Sequence, residues 1–169
     1  MHRNIAALVV VFAAAFAAVP AAAATSPMGR DFGLGLRLGA PTGIDLKFMT
    51  SADSGLIVGV GGLLFFDRSL SLHVDHVWHA HLTEDFTAYA GIGGWGAVSA
   101  DVKGPPFGYR GPVYVAAVPV AAGVRVPLGL NYAFQSFPLE LYGEIAPSAE
   151  VFPGIGFFSS ASLGARLYF

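Results

Sequence analysis

Charge in this chain keeps to one side of an alternation. Phe32, Leu34, Leu36 and Leu38 alternate with Gly33, Gly35 and Arg37, and Ile44, Leu46 and Phe48 with Asp45 and Lys47. Leu70, Leu72, Val74, His76 and Trp78 alternate with Ser71, His73, Asp75, Val77 and His79. Leu139, Leu141 and Ile145 alternate with Glu140, Tyr142 and Glu144, and Leu163, Ala165, Leu167 and Phe169 with Ser162, Gly164, Arg166 and Tyr168. A period of two is the geometry of a β-strand, whose successive side chains point to opposite faces. The apolar parity of these strands holds no Asp, Glu, Lys or Arg.

Three further stretches extend the pattern. Gly55 to Phe65 is apolar on both parities, so its facing stays open. Phe86 to Val98 sets Phe86, Ala88, Ala90 and Ile92 against Thr87, Tyr89, Gly91, Gly93 and Trp95. Val113 to Val126 sends Val118, Val120, Ala122 and Val124 to one face and Arg125 to the other, with Pro119 marking a bulge. Eight strands is an even number, as closure with both ends on one side requires. Ala40 to Gly43, Ser51 to Gly55 and Phe66 to Ser69 are short turns. Asp101 to Pro112 and Pro147 to Phe157 are the expected long loops, where a partner would make contact.

The beginning of the chain assigns a compartment. Arg3 precedes an uncharged apolar run from Ile5 to Ala18, followed by Pro20 and Ala22-Ala23-Ala24. This is a secretory signal with a small-residue cleavage site; its 14 apolar residues fall short of the roughly 20 that a spanning helix needs. Residues 1–24 are therefore expected to be removed, leaving 25–169 as one domain. The expected mature chain has a formal charge of −3, eight Lys and Arg against eleven Asp and Glu, and no basic stripe for nucleic acid. The absence of cysteine excludes disulfides, thiolate metal sites and a lipidated N-terminal cysteine. Mean hydropathy is +0.61 with 12% charged residues, where a soluble domain has about 25%. An apolar exported chain without a second helix-length run points to the other way of crossing a bilayer, a closed barrel.

The expectation is an all-β, eight-stranded, antiparallel up-and-down transmembrane barrel with both termini periplasmic, in the bacterial outer membrane. Phe32, Phe48, Trp78, Phe86 and Phe169 then fall at periplasmic strand ends on the outward parity, as an interfacial aromatic girdle would. Inward go Arg37, Lys47, Arg125 and Arg166 against Asp45, Asp75, Glu140 and Glu144. Buried charges are tolerable only when paired, so these eight are expected to form a lumen network. An eight-stranded barrel is just wide enough for side chains to fill, which argues against a general diffusion pore.

Leu163-x-Ala165-x-Leu167-x-Phe169 resembles the C-terminal signature that outer-membrane barrels present to their assembly machinery, which makes that machinery and outer-membrane lipid the expected partners. Gly33-Leu34-Gly35-Leu36-x-Leu38-Gly39-x-Pro41-Thr42-Gly43, Val126-Pro127-Leu128-Gly129-Leu130-x-Tyr132-x-Phe134 and Pro138-Leu139-Glu140-Leu141-x-x-Glu144-x-Ala146-Pro147 resemble a family of small bacterial outer-membrane proteins of unknown function. That family is described as similar to the OmpA transmembrane barrel. The resemblance implies an eight-stranded barrel and brings no activity with it. The cell-wall tethering role of OmpA is not carried over, since no peptidoglycan-binding segment follows Phe169.

Chemistry-bearing constellations are few. His73, His76, His79 and His81 crowd together, but strand geometry turns His73 and His79 inward and His76 outward, with His81 expected in the following turn. Ser71 and His73 share a face, yet a lipid A-modifying enzyme would need its Ser–His pair and an acidic orienter near a rim, facing lipid. No His-x-Ser motif occurs. Glu140 and Glu144 lie roughly 13 Å apart along one strand, too far to share a proton. Gly91-x-Gly93-Gly94-x-Gly96 lies within a strand and lacks the helix of a phosphate loop. The expectation is a structural or surface-interaction barrel without catalytic centre, metal or cofactor. The alternatives are a lipid A-modifying barrel enzyme and a soluble lipocalin-like binder, the latter requiring apolar residues inside and polar ones outside.

Overall fold

The computed structural model describes residues 29–62, 69–99 and 120–169, so the expected signal segment and the Asp101 to Pro112 loop lie outside the described residues. The described residues form nine strands in one antiparallel sheet: β1 (Phe32–Gly39), β2 (Gly43–Ser51), β3 (Ser54–Gly61), β4 (Ser69–His81), β5 (Phe86–Ser99), β6 (Val120–Arg125), β7 (Leu128–Ala133), β8 (Leu139–Phe152) and β9 (Gly156–Tyr168). Each of β1 to β5 pairs with the next, β8 pairs with β9, and β9 returns to β1. β6 and β7 lie end to end between β5 and β8, so the sheet closes on itself as a ring. No described helix is long and apolar enough to cross a membrane, which says nothing of crossing by strands.

The break between β6 and β7 falls at Val126-Pro127, since proline has no N–H to give a ladder. The remaining main-chain groups are still used: Val126 N–H donates to the Pro147 carbonyl, and Gly91 N–H to that of Pro127 (both 2.9 Å). Pro119 and the bulge expected there lie outside the described residues; the described irregularity of this strand is a register shift against β8 between Ala122 and Gly123. Leu128–Ala133 is a strand segment beyond the expected end at Val126.

Connections at one end of the ring are short. Thr83 Oγ1 accepts from the N–H groups of Asp85 and Phe86 (3.3 and 3.0 Å) and turns β4 into β5. At the other end Gly39 takes φ +135°, a region that favours glycine, and Thr42 Oγ1 donates to its carbonyl at 2.9 Å.

Two expectations need correction. Pro147 to Phe157 is not a loop: β8 continues to Phe152 and β9 begins at Gly156. The paired strand β6 supports this stretch, holding Ser148, Ala149 and Glu150 in register against Arg125, Val124 and Gly123, and Phe152 opposite Ala122 after a shift of one residue. His81 is not in a turn but ends β4 opposite Thr87.

Burial alternates as the sequence does. Gly55, Ile57, Gly59 and Gly61 of β3 share the inward parity, which settles the facing left open there. Among the described strand residues, the outward parity carries no Asp, Glu, Lys or Arg. Leu36, Leu38, Ile92, Ile145 and Leu163 are all more than half exposed. Inside, Ile57, Val77 and Tyr89 form one apolar cluster; Trp95, Ala97 and Ala121, with Phe158 against them, form another.

Candidate functional site

Between these clusters the interior holds charge. Inward positions of six strands contribute Arg37 (β1), Asp45 and Lys47 (β2), Asp75 (β4), Arg125 (β6), Glu140 and Glu144 (β8) and Arg166 (β9); each is at most 6% exposed. The structure brings all eight into one succession of alternating sign. Lys47 Nζ donates to Glu140 at 3.1 Å, and Arg166 Nη1 reaches the same carboxylate at 2.8 Å. The other edge of Arg166 holds Asp45 Oδ2, with Nη2 at 2.6 Å and Nε at 3.0 Å. Arg37 lies 3.6 Å from Asp45 and donates to Glu144 Oε1 at 2.8 Å. Arg125 also bonds Glu144, and its Nε lies 3.4 Å from Asp75.

The succession is tighter at one end than at the other. Glu140 also accepts from the Tyr168 hydroxyl (3.0 Å), and Glu144 from that of Tyr89 (2.8 Å). Asp75 has an ion contact with Arg125 and no hydrogen bond, with His73 Nε2 lying 3.8 Å away. A carboxylate and guanidinium buried without partners would each cost several kcal/mol; alternation of sign is what makes the cluster tolerable.

Glycine makes the space for it. Across each strand pair a large inward side chain lies over a glycine: Tyr142 over Gly164, Tyr89 over Gly129, His73 over Gly59, Tyr168 over Gly33. Arg166 then stacks on the Tyr142 ring at 3.7 Å from its centroid. The three tyrosines belong to the site, and the sequence signal for them was an inward Tyr with a Gly available on the neighbouring strand. Glu150, 4% exposed on β8, is a further inward carboxylate; reading its segment as a loop had hidden its parity.

Two small cavities lined by described residues lie on either side of the ion pairs. One of about 20 Å³ is lined by Lys47, His79, Thr87, Asn131 and Glu140 among others; another of about 20 Å³ by Ser71, His73, Trp95 and Arg125 among others. Each has room for roughly one water molecule.

The aromatic residues singled out from sequence gather at the end with the short turns. Phe32 lies 5.0 Å from Phe48 and 6.3 Å from Phe169 between ring centroids, and Phe86 lies 4.9 Å from Tyr132. Tyr132 in turn meets Phe134 at 4.9 Å, which adds two rings the sequence reading omitted. Trp78 is half exposed and packs edge-on against His76.

The constellations considered for catalysis are not assembled. Ser71 Oγ donates to the Gly61 carbonyl at 3.0 Å rather than to a histidine. His81 sits by Thr87 (3.3 Å) and Asp53 (3.5 Å) at the rim, apart from outward His76. Among the described residues no three His, Cys, Asp or Glu are placed to hold a metal ion.

Comparison with known proteins agrees with this architecture. The sequence profile of a family described as "Protein of unknown function (DUF3996)" matches residues 24–166. No curated protein matches the chain. Among solved structures, the N-terminal β-barrel domain of Pseudomonas aeruginosa OprF is similar, with a TM-score of 0.59 at 13% identity, covering 82% of this chain and 96% of that one. The likeness is one of fold: an antiparallel ring resembling that barrel.

Proposed function

The chain belongs to the DUF3996 family of unknown function, and we propose that it is an integral barrel of the bacterial outer membrane with a structural or surface-interaction role. The observation that carries this reading is the inverted polarity of the ring. Charges and their partners fill the inside while Leu, Ile, Val and Phe cover the outside. A lipocalin-like soluble binder needs the reverse arrangement.

Counting β6 and β7 as one interrupted strand gives eight positions around the ring. β1 and β9 adjoin, with Phe169 N–H donating to Phe32 at 2.9 Å, so both ends of the barrel domain lie on one side. That side bears the short turns and the aromatic collar, as a periplasmic face does. On the opposite side β5 ends at Ser99 and β6 begins at Val120, the widest sequence interval between successive described strands, and we assign surface recognition there. Residues 1–24 serve as a cleaved export signal, and β9 with the following Phe169 is what the assembly machinery receives.

Filling of the interior favours a barrel that is not a general diffusion pore. The Lys47 to Asp75 succession links inward side chains of six strands, and the two cavities beside it that described residues line are water-sized. We assign the chain no catalytic centre and no cofactor.

Fractionation of cells that express the full chain tests the reading. A band in the outer membrane whose gel mobility shifts on boiling is the expected result. A soluble periplasmic band, unchanged by heat, would overturn it.

A further inference from the structure

The ring is taller on one flank than on the other, and this leaves main-chain groups exposed. β9 is paired with β8 along its whole length, from Gly156 opposite Glu150 to Leu167 opposite Leu139. Its other neighbour, β1, reaches only to Gly39 opposite Ser162, and the last bond across is Ala40 N–H to the Ala161 carbonyl at 3.0 Å. The chain then turns away into β2. Main-chain groups of a strand face its two neighbours alternately. Tyr168 N–H bonds the β8 side and Phe169 N–H the β1 side. Odd-numbered residues of β9 therefore face β1, and the N–H and C=O groups of Phe157 and Ser159 face an edge where no described strand pairs.

No charge on the first half of β9 or on the residues leading into it guards this edge. Natural sheets blunt open edges with charges, above all lysine, yet Val151 to Ala161 holds no charged residue. Phe157 and the adjoining Ile155 are 77% and 78% exposed. Inward Phe158 is packed on Trp95 at 5.2 Å, and β8 is backed by β6, so the edge is held rigid from behind.

We propose that the β9 edge at Gly156–Ser160 is a docking site for an extended polypeptide segment of another protein, which adds a short strand to the rim. Only an extended backbone supplies donors and acceptors at the repeat of Phe157 and Ser159, and the uncharged edge suits an uncharged segment with apolar residues at alternate positions. A second copy is a poor occupant, an exclusion that rests on the membrane reading above. Two copies in one bilayer point the same way, so their β9 edges run parallel, and the two-fold axis relating them sets the apolar face of one against the polar face of the other.

The test uses the full chain refolded in detergent micelles and a short labelled peptide alternating Val and Thr. A control peptide, N-methylated at every residue, has no main-chain donor on either edge and cannot pair. Fluorescence anisotropy is expected to show binding of the first peptide alone. Ser159→Pro removes one edge N–H and leaves the β8 ladder intact, and should weaken binding by about tenfold, the worth of one main-chain hydrogen bond. Phe157→Lys places a guarding charge on the edge and should abolish binding, with the heat-dependent mobility shift reporting that both variants still fold. Hydrogen exchange of the unaltered protein gives a readout free of mutation. The amides of Phe157 and Ser159 should exchange fast and gain protection from the peptide, while those of Phe158 and Ser160 stay protected throughout. Absence of binding, equal binding of the methylated peptide, or undiminished binding by Ser159→Pro would each overturn the proposal. Flotation of the same protein with lipid vesicles separates the two readings. Peptide binding without flotation overturns only the membrane assignment, and flotation with unchanged exchange overturns only the edge.

Discussion

Gly164 lies directly opposite Tyr142 across β8 and β9, and the tyrosine ring occupies the space that a side chain at Gly164 would need. The ring has nowhere else to go, because Arg166 stacks on it at 3.7 Å and Arg37 lies 5.6 Å from its centroid. Gly164→Ala should therefore destabilise the folded protein by about 1–3 kcal/mol, the usual cost of overpacking. Gly143 provides the internal comparison. It lies on the outward parity, where an added Cβ would meet only the movable Leu163 Cδ2 at 3.2 Å. Gly143→Ala should leave stability nearly unchanged. Urea unfolding in detergent, followed by tryptophan fluorescence, compares the two, and equal midpoints would show that the interior is looser than its distances imply.

Glu140 collects three donors, Lys47, Arg166 and Tyr168. Glu140→Leu leaves two cations buried, one of them, Arg166, still held by Asp45. The expected loss is about 3–5 kcal/mol, visible as a lower unfolding temperature in detergent. Lys47 depends on Glu140 far more than Arg166 does, so Lys47→Met combined with Glu140→Leu should recover a substantial part of that loss. A double variant no more stable than the single one would mean that Lys47 finds another partner or escapes to water.

Much of this was legible because a strand's period of two is unforgiving: a single slip of register would carry Arg37, Asp45 and Arg166 into the outward face. The inward set could thus be read from parity alone. What parity could not give was the order of pairing. Glu140 and Glu144 share a strand but are linked through Arg166, Asp45 and Arg37, residues from β9, β2 and β1. Such contacts depend on which strands adjoin and at what stagger. The far half of β8 was missed for a different reason. Pro147 and Pro153, with Gly154 and Gly156, look like loop punctuation, yet Pro147 faces outward and its carbonyl still accepts from Val126. Partner strands overrode the local signal and carried Glu150 into the interior with them.

Leu36 separates a membrane barrel from a soluble ring of the same shape. It is 66% exposed at an outward position of β1, about 13 Å along the strand from Phe32 of the aromatic collar. On a soluble protein Leu36→Arg would be close to neutral. Facing hydrocarbon near the middle of the band, it should cost about 2–4 kcal/mol. Reversible unfolding in lipid vesicles measures the difference, and a neutral outcome would argue that this face meets water.

The two tryptophans report depth without disturbing the fold. Trp78 is 53% exposed at the collar end of β4, whereas Trp95 is buried inside against Phe158. Trp95→Phe keeps an aromatic partner for Phe158 and leaves Trp78 as the sole tryptophan. In vesicles of brominated lipid its fluorescence should be quenched most by bromine near the carbonyl end of the acyl chain and least by bromine near the methyl end, because indole rings settle at the interface. The reciprocal variant, Trp78→Phe, should be quenched weakly by either lipid, since the barrel wall stands between Trp95 and the acyl chains. Equal quenching of Trp78 at both depths would remove the collar from the interface and with it the orientation assigned to the short turns.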